Sequence, residues 1–473
     1  MDESVEQTLL LEDYKSNDIE EKDLKARVLV ETKKLWQVAG PAIITRLTNY
    51  SLSLITQAVA GHLGDVELAS MSIAYSVIVI FNFALLLGMA TALETLCGQA
   101  YGAKRYNMLG IYLQRSCIVL GLASIVLLPI YIYATPILKL LGQPEDVAEL
   151  TGLISLWFIP MHLAFPFISA VQRFLLSQLK INVVAINSTL TLVVHVFISW
   201  LLVFKLELGV FGAAAALVIS TWISFFGLFL YVVCGGCPLT WNGLSMEAFS
   251  GLWEFLKLSA ASGIMICLEF WYYRILIVMT GNLKNATIAV DALAVCMNIN
   301  GWESMIPLGF LAATGVRVAN ELGAGNARGA KFAAKVSLVQ STMIGIVFCV
   351  LVLIFHDKLA LVFSTSPVII KAVDRLSYLL ALTILLNSIQ PVLSGVAIGS
   401  GWQSLVAYVN LGCYYIIGVP LGLVMGWVFN FGVEGIWCSM IFGGTAIQTG
   451  ILAIITIKRD WEKEARQAIA RHS

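Results

Sequence analysis

Glu269 stands at the centre of an apolar run, Leu258-Ser-Ala-Ala-Ser-Gly-Ile-Met-Ile-Cys-Leu-Glu269-Phe-Trp-Tyr-Tyr-Arg-Ile-Leu-Ile-Val-Met279. A run of about 20 such residues is long enough to cross a bilayer. An ionisable side chain inside it is costly and marks a substrate or ion path. Desolvation penalises the charged form of a carboxyl, so the chemistry Glu269 offers is reversible protonation. Met265, Tyr272 and Tyr273 share its helical face at i−4, i+3 and i+4. Tyrosines there suit a carboxyl or an aromatic ligand. Arg274 lies five residues on, about 140° round the helix, and is a poor partner within it.

Two further apolar segments carry polar residues around a proline. One holds Asp291 near its outer end, Asn298, Asn300 and Glu303, with Pro307 four residues beyond. The other places Asn387, Gln390, Pro391 and Ser394 at i, i+3, i+4 and i+7. A helical proline removes one hydrogen bond and displaces the carbonyl four residues back, here those of Glu303 and Asn387. Broken helix at depth is tolerated where it is buried in protein or lines a cavity. Glu269 is the expected principal proton-coupling carboxyl, with Glu303 and Asp291 as lesser candidates, Asp291 fitting the membrane interface better than the interior. Tyr272, Tyr273, Asn298, Asn300, Asn387, Gln390 and Ser394 are expected to line a cavity, and Pro307 and Pro391 to kink their helices. The first apolar segment has Pro41, Arg46, Asn49 and Gln57 but no carboxylate. Pro41 is a further expected kink; Asn49 and Arg46 are expected at the cavity, where Arg46 would attract anions unless it snorkels or pairs. Glu94 is expected to stabilise the turn that ends the second segment, and His195 to make a helix–helix contact. No Ser-His-Asp, HExxH or metal-spaced cluster falls in these segments. The expectation is no enzyme, no metal and no cofactor beyond the proton.

The elements that carry these residues are transmembrane helices. The 473 residues are 59% hydrophobic and 12% charged, with a mean hydropathy of +0.86, whereas soluble domains carry about 25% charged residues. Lys plus Arg and Asp plus Glu both number 29, so no net charge points to nucleic acid. The partners expected are the bilayer and small organic molecules, with the monomer as the functional unit. Twelve spans are predicted at about 35–60, 68–93, 113–134, 150–171, 183–204, 212–233, 252–279, 286–312, 334–356, 372–397, 405–429 and 433–457. Residues 1–33 are polar, with no cleavable signal peptide, and read as a disordered tail. Within it, Glu6-Gln-Thr-Leu-Leu10-Leu11 resembles an acidic dileucine sorting signal. Both termini and the even-numbered loops hold 21 basic residues against six on the other side. That bias makes both termini cytosolic. The nine cysteines are scattered, mostly within the spans, and Cys234-Gly-Gly-Cys237 reads as a juxtamembrane turn.

The chain repeats itself. Gly61–Ala69 aligns with Gly281–Ala289 at an offset of 220, and Leu96–Ala103 with Arg317–Ala324 at 221. Gly209–Gly212 aligns with Gly432–Gly435, and Asn187 with Asn410, at 223. Each half holds six spans, and an even number makes the repeats parallel, related by an axis along the membrane normal. The predicted fold is an all-α polytopic membrane protein of 12 transmembrane helices in two parallel-repeat six-helix lobes. Residues 34–240 form the N-lobe and 241–457 the C-lobe, with a cytosolic tail at 458–473.

Four stretches then carry a resemblance: Ala92-Leu-Glu-Thr-Leu-Cys-Gly-Gln-Ala-Tyr-Gly-Ala103, Cys267-Leu-Glu-Phe-Trp271, Arg317-Val-Ala-Asn-Glu-Leu-Gly-Ala-Gly-Asn326, and Ser394-Gly-Val-Ala with Gly401-Trp-Gln403. They resemble the multidrug and toxic compound extrusion (MATE) transporters in their plant, detoxification-type form. The resemblance implies two lobes in a V and cation-coupled efflux of secondary metabolites or xenobiotics by alternating access, with the proton as coupling ion. It also implies a vacuolar or plasma membrane. The acid of its Cys-Leu-Glu-x-Trp motif corresponds to Glu269. Many relatives carry a second acid where this chain has Asn387, and bacterial relatives use a first-lobe aspartate that is missing here. A passive anion channel on the same fold, with Arg46 in the pathway, is the alternative; a lipid-linked flippase would be expected to have a more cationic cavity.

Overall fold

The computed structural model describes residues 24–281, 283, 286–363 and 366–471. Twelve spans follow one another: Leu24–Gly61, Asp65–Gly102, Tyr106–Ile132, Glu145–Trp157 continued by Ile159–Ser177, Ile181–Lys205 and Gly209–Gly236, then Leu252–Gly281, Ala286–Gly323, Ala327–Phe363, Pro367–Ser400, Gln403–Val428 and Gly432–Lys458. A short helix, Trp461–Ala470, ends the described chain. Ten of these spans are apolar enough to cross a membrane by composition alone. The first and eighth fall short, and they pack against each other between the lobes, as the second span does against the seventh and eighth. Facing protein rather than lipid, they can carry more polar side chains.

Three expectations need correction. The first helix begins at Leu24, so residues 24–33 are helical rather than tail; the dileucine stretch lies outside the described residues, as do 282, 284 and 285 of the first repeat anchor. The fourth span starts at Glu145 and breaks at Phe158, because Pro160 suits the first turn of a new helix better than the interior of an old one. Arg173, counted among the loop cations, is buried within the N-lobe. Arg317 is likewise buried. Removing both leaves the basic bias on the same side.

Both ends of the described chain lie on one face, here the terminal face; the opposite side is the far face. In the far half, the apolar cores are separate. One joins Met71, Ile78, Tyr131, Phe158 and Leu217 of the N-lobe, the other Tyr272, Leu293, Leu380, Tyr414 and Trp437 of the C-lobe. In the terminal half, one core runs through both lobes, with Leu35, Leu93 and Phe174 packed with Phe310, Val316 and Val392, beside a second core within the C-lobe around Leu322, Trp402 and Trp461. Two cores that fuse at one end describe a V whose point is at the terminal face.

Glycines make that point tight. A Cβ on Gly102 would overlap the Asn320 carbonyl oxygen, and one on Gly323 the Gln99 carbonyl oxygen. A Cβ on Gly98 would sit 2.7 Å from that of Ala319. These are the aligned repeat positions (98 with 319, 99 with 320, 102 with 323), so each repeat packs on its own counterpart. The pseudo-two-fold axis therefore passes between the second and eighth spans. The other anchor agrees: Gly209 and Gly432 both have φ +58°. A Cβ on Gly212 would lie 3.1 Å from Leu202 O, and one on Gly435 3.0 Å from Met425 O.

Polar contacts fasten the same face. Arg317 donates from Nε to Glu31 Oε1 at 2.9 Å and from Nη2 to Glu31 Oε2 at 3.1 Å. Gln99 Nε2 donates to Gly399 O at 2.9 Å, and Thr95 Oγ1 donates to Ile398 O while accepting from Gln403 Nε2 at 2.8 Å. The terminal face is shut.

Candidate functional site

Glu269 is half-buried in the seventh span. Its Oε1 accepts three hydrogen bonds: from Gln390 Nε2 at 3.0 Å, Asn410 Nδ2 at 3.1 Å and Ser394 Oγ at 3.3 Å. Gln390 and Ser394 flank Pro391 on the tenth span, and Asn410 comes from the eleventh. Gln390 Nε2 also donates to Ser394 Oγ at 3.0 Å. One carboxylate oxygen thus ties three helices together at the proline. Asn410 is itself held, donating to Met265 O at 3.2 Å and accepting from Gln448 Nε2 at 3.0 Å. Neither Asn410 nor Gln448 was among the expected residues. Asn410 had a signal in its repeat match to Asn187; Gln448, fully buried in the twelfth span, had none.

A second cluster lies one turn away. Tyr273 Oη donates to Asn387 Oδ1 at 3.0 Å, and Asn387 Nδ2 donates to Asn300 Oδ1 at 3.2 Å. Tyr273, Asn387 and Asn300 join the seventh, tenth and eighth spans, and Asn387 meets Tyr273 rather than Glu269. Tyr272 is fully buried, its hydroxyl donates to Met440 O at 2.6 Å, and its ring stacks on Tyr414 at 4.3 Å. With Tyr273, Leu276, Thr383 and Trp437 it lines a small cavity inside the C-lobe rather than the space between lobes. Tyr272→Phe should therefore cost about 1–2 kcal/mol of stability and leave transport at the wild-type rate, as read by thermal melting beside an uptake assay.

Glu303 is 5% exposed, and among the described residues neither of its oxygens has a hydrogen-bond partner. It is a buried carboxyl without a fixed donor among those residues, next in sequence to Trp302, whose ring meets that of Tyr50 across the lobes at 5.4 Å. Asp291, Asn298 and Asn49 are exposed and join neither cluster. The helices continue through Pro41, Pro307 and Pro391. At Pro391 the carbonyl that takes an outside donor is that of Ser388, which accepts from Ser341 Oγ at 2.6 Å, rather than that of Asn387.

The N-lobe counterpart is different in kind. Glu94 is fully buried and paired with Arg173 of the fourth span, and Arg46 lies within electrostatic reach of both. Glu94 does not cap the end of its helix, which runs on to Gly102. Arg46 belongs to a charged group rather than standing alone. His195 bridges Thr56 at 3.1 Å and Ser220 at 3.0 Å, the helix–helix contact expected of it.

A family model described as MatE matches residues 41–201 and 261–424. The chain belongs to the MATE family. It is 63% identical over 448 residues to Protein DETOXIFICATION 27 of Arabidopsis thaliana, covering 95% of this chain and 92% of that protein. It is 60% identical over 462 residues to Protein DETOXIFICATION 28 of the same plant, covering 98% and 94%. The crystal structure of the eukaryotic MATE transporter AtDTX14 superposes with a TM-score of 0.90 at 35% identity, over 94% of this chain and 100% of that one. A MATE crystal structure in the bent conformation shares the fold at a TM-score of 0.82 and 15% identity, over 95% and 100%. The chain is thus a membrane-embedded transporter of the MATE detoxification type, built as two six-helix lobes.

Proposed function

We propose that this MATE protein is a proton-coupled antiporter that exports organic small molecules by alternating access, with Glu269 as the protonation site. The observation that carries the reading is the convergence of three donors from two other helices on Glu269 Oε1. Hydrogen bonds to a charged group are roughly twice as strong as neutral ones. Protonating Glu269 weakens all three at once and so loosens the seventh span from the tenth and eleventh beside Pro391. Substrate and proton then compete for the C-lobe through that joint. The lobes move as bodies, the glycine-packed point parting as the far side closes, with both termini in the cytosol, in a vacuolar or plasma membrane. Glu303, buried and without a fixed donor, is a second place for a proton; Asp291, at the far end of its helix, is an entry group. The passive-channel alternative gains nothing from Arg46, which sits beside Glu94 and Arg173.

Asn387→Asp restores the acid that many relatives carry and sets it under the Tyr273 hydroxyl. The pH dependence of uptake into proteoliposomes should shift, since a second titrating group joins the same helix joint. An unchanged profile would separate the Asn387 cluster from coupling.

A further inference from the structure

The helix Trp461–Ala470 lies across the shut terminal face. Asp460 caps it, its carboxylate accepting from the Glu462 and Lys463 amides at 3.1 and 3.2 Å. Trp461, Glu464, Ala465 and Ala468 are buried, the i, i+3, i+4, i+7 stripe of a docked helix. Glu464 is an unusual residue for such a stripe. It accepts from Trp402 Nε1 at 3.0 Å and Arg459 Nε at 2.9 Å, while Arg459 also lies over the Trp402 ring at 5.2 Å. This root is made entirely within the C-lobe.

The tip is not. Arg471 Nη1 donates to Gln99 Oε1 of the N-lobe at 3.2 Å and to Ser400 O of the C-lobe at 3.4 Å. Gly401, at φ +85°, leaves room for the guanidinium, which a Cβ there would meet at 2.5 Å. Gln99 is the same residue whose backbone carbonyl abuts Gly323 and whose amide nitrogen holds Gly399. The tip therefore grips the second span at its tightest crossing.

We propose that the C-terminal helix is a latch: rooted on the C-lobe through Glu464 and Trp402, it holds the terminal face shut through Arg471 and Gln99, and its release favours the state open on that face. The latch rests on the lobe movement of the preceding reading. A conformer open on the terminal face must part Gln99 from Gly399, Gly323 and Arg471 together. A charged donor on the short arm of a rooted helix biases that equilibrium while leaving the substrate site untouched.

A reporter for the test is Asn320→Cys, a nearly buried position in the seam, labelled in the full-length protein with a water-soluble maleimide and read above the signal of the native cysteines. Arg471→Ala in that background is expected to label at least about tenfold faster, the effect of losing charged-donor hydrogen bonds. A chain ending at Asp460 should label at least as fast, and Arg466→Ala, on the exposed side of the same helix, at the parent rate. Melting curves for each variant separate release from unfolding. If the parent labels when a pH gradient is applied yet Arg471→Ala labels no faster, the latch is overturned and lobe movement stands. If no variant labels under any gradient, lobe movement and latch fall together.

Discussion

Reconstituted Glu269→Gln protein is expected to lose pH-gradient-driven transport by at least about tenfold while inserting and folding normally. Glutamine keeps a carbonyl oxygen that can accept from Gln390, Asn410 and Ser394, so the three-helix joint survives in shape. What it loses is the change of charge. Each charge-assisted bond is worth about 1.5–3 kcal/mol, and about 1.4 kcal/mol is a factor of ten in an equilibrium. A permanently neutral side chain removes the difference on which the proton acts. Substrate counterflow without a gradient should persist, because it needs lobe movement but no proton. Wild-type uptake under a pH gradient would end the assignment of Glu269; loss of both activities would point to a folding role instead.

Gly323→Ala is expected to produce the second large effect, in stability and rate together. Its new methyl group would meet the Gln99 carbonyl oxygen, which is backbone in a packed helix and cannot swing aside. The second and eighth spans must part along the seam. Overpacking of this sort costs about 1–3 kcal/mol, and the cost falls on the shut terminal face. A lower melting temperature and slower transport should follow. Gly102→Ala, its repeat counterpart, should do the same through the Asn320 carbonyl. Because either change opens the same crossing, the double variant should lose less than the two losses added. Full stability and full rate in Gly323→Ala would mean that the seam is not closed by backbone contact.

Much of this architecture is written along the chain. Hydropathy marks the spans because the bilayer core asks every crossing segment for the same length of apolar surface. The repeat survives as short anchors because Gly102 with Gly323, and Gly209 with Gly432, meet backbone or left-handed geometry that other side chains do not tolerate. Glu269 declares itself by cost alone. The tenth-span stripe is legible for the same reason, and two of its members, Gln390 and Ser394, do face Glu269.

Partnership is another matter. Gln390 and Asn410 are 121 and 141 residues from Glu269 in sequence, and nothing local to any of the three specifies that they meet. Periodicity places Tyr272 and Tyr273 on the face of Glu269, yet packing sends one into the C-lobe core and the other to Asn387. Glu94 reads as the end of a helix until Arg173, from the fourth span, is brought beside it. Composition and spacing thus determined that the chain crosses the membrane twelve times, repeats itself, and carries carboxyls, Glu269 foremost, whose cost inside a span demands a role. The tertiary structure decided which donors surround that carboxyl, which face of the V is shut, and what Arg471 holds, because those depend on how helices far apart in sequence pack side by side.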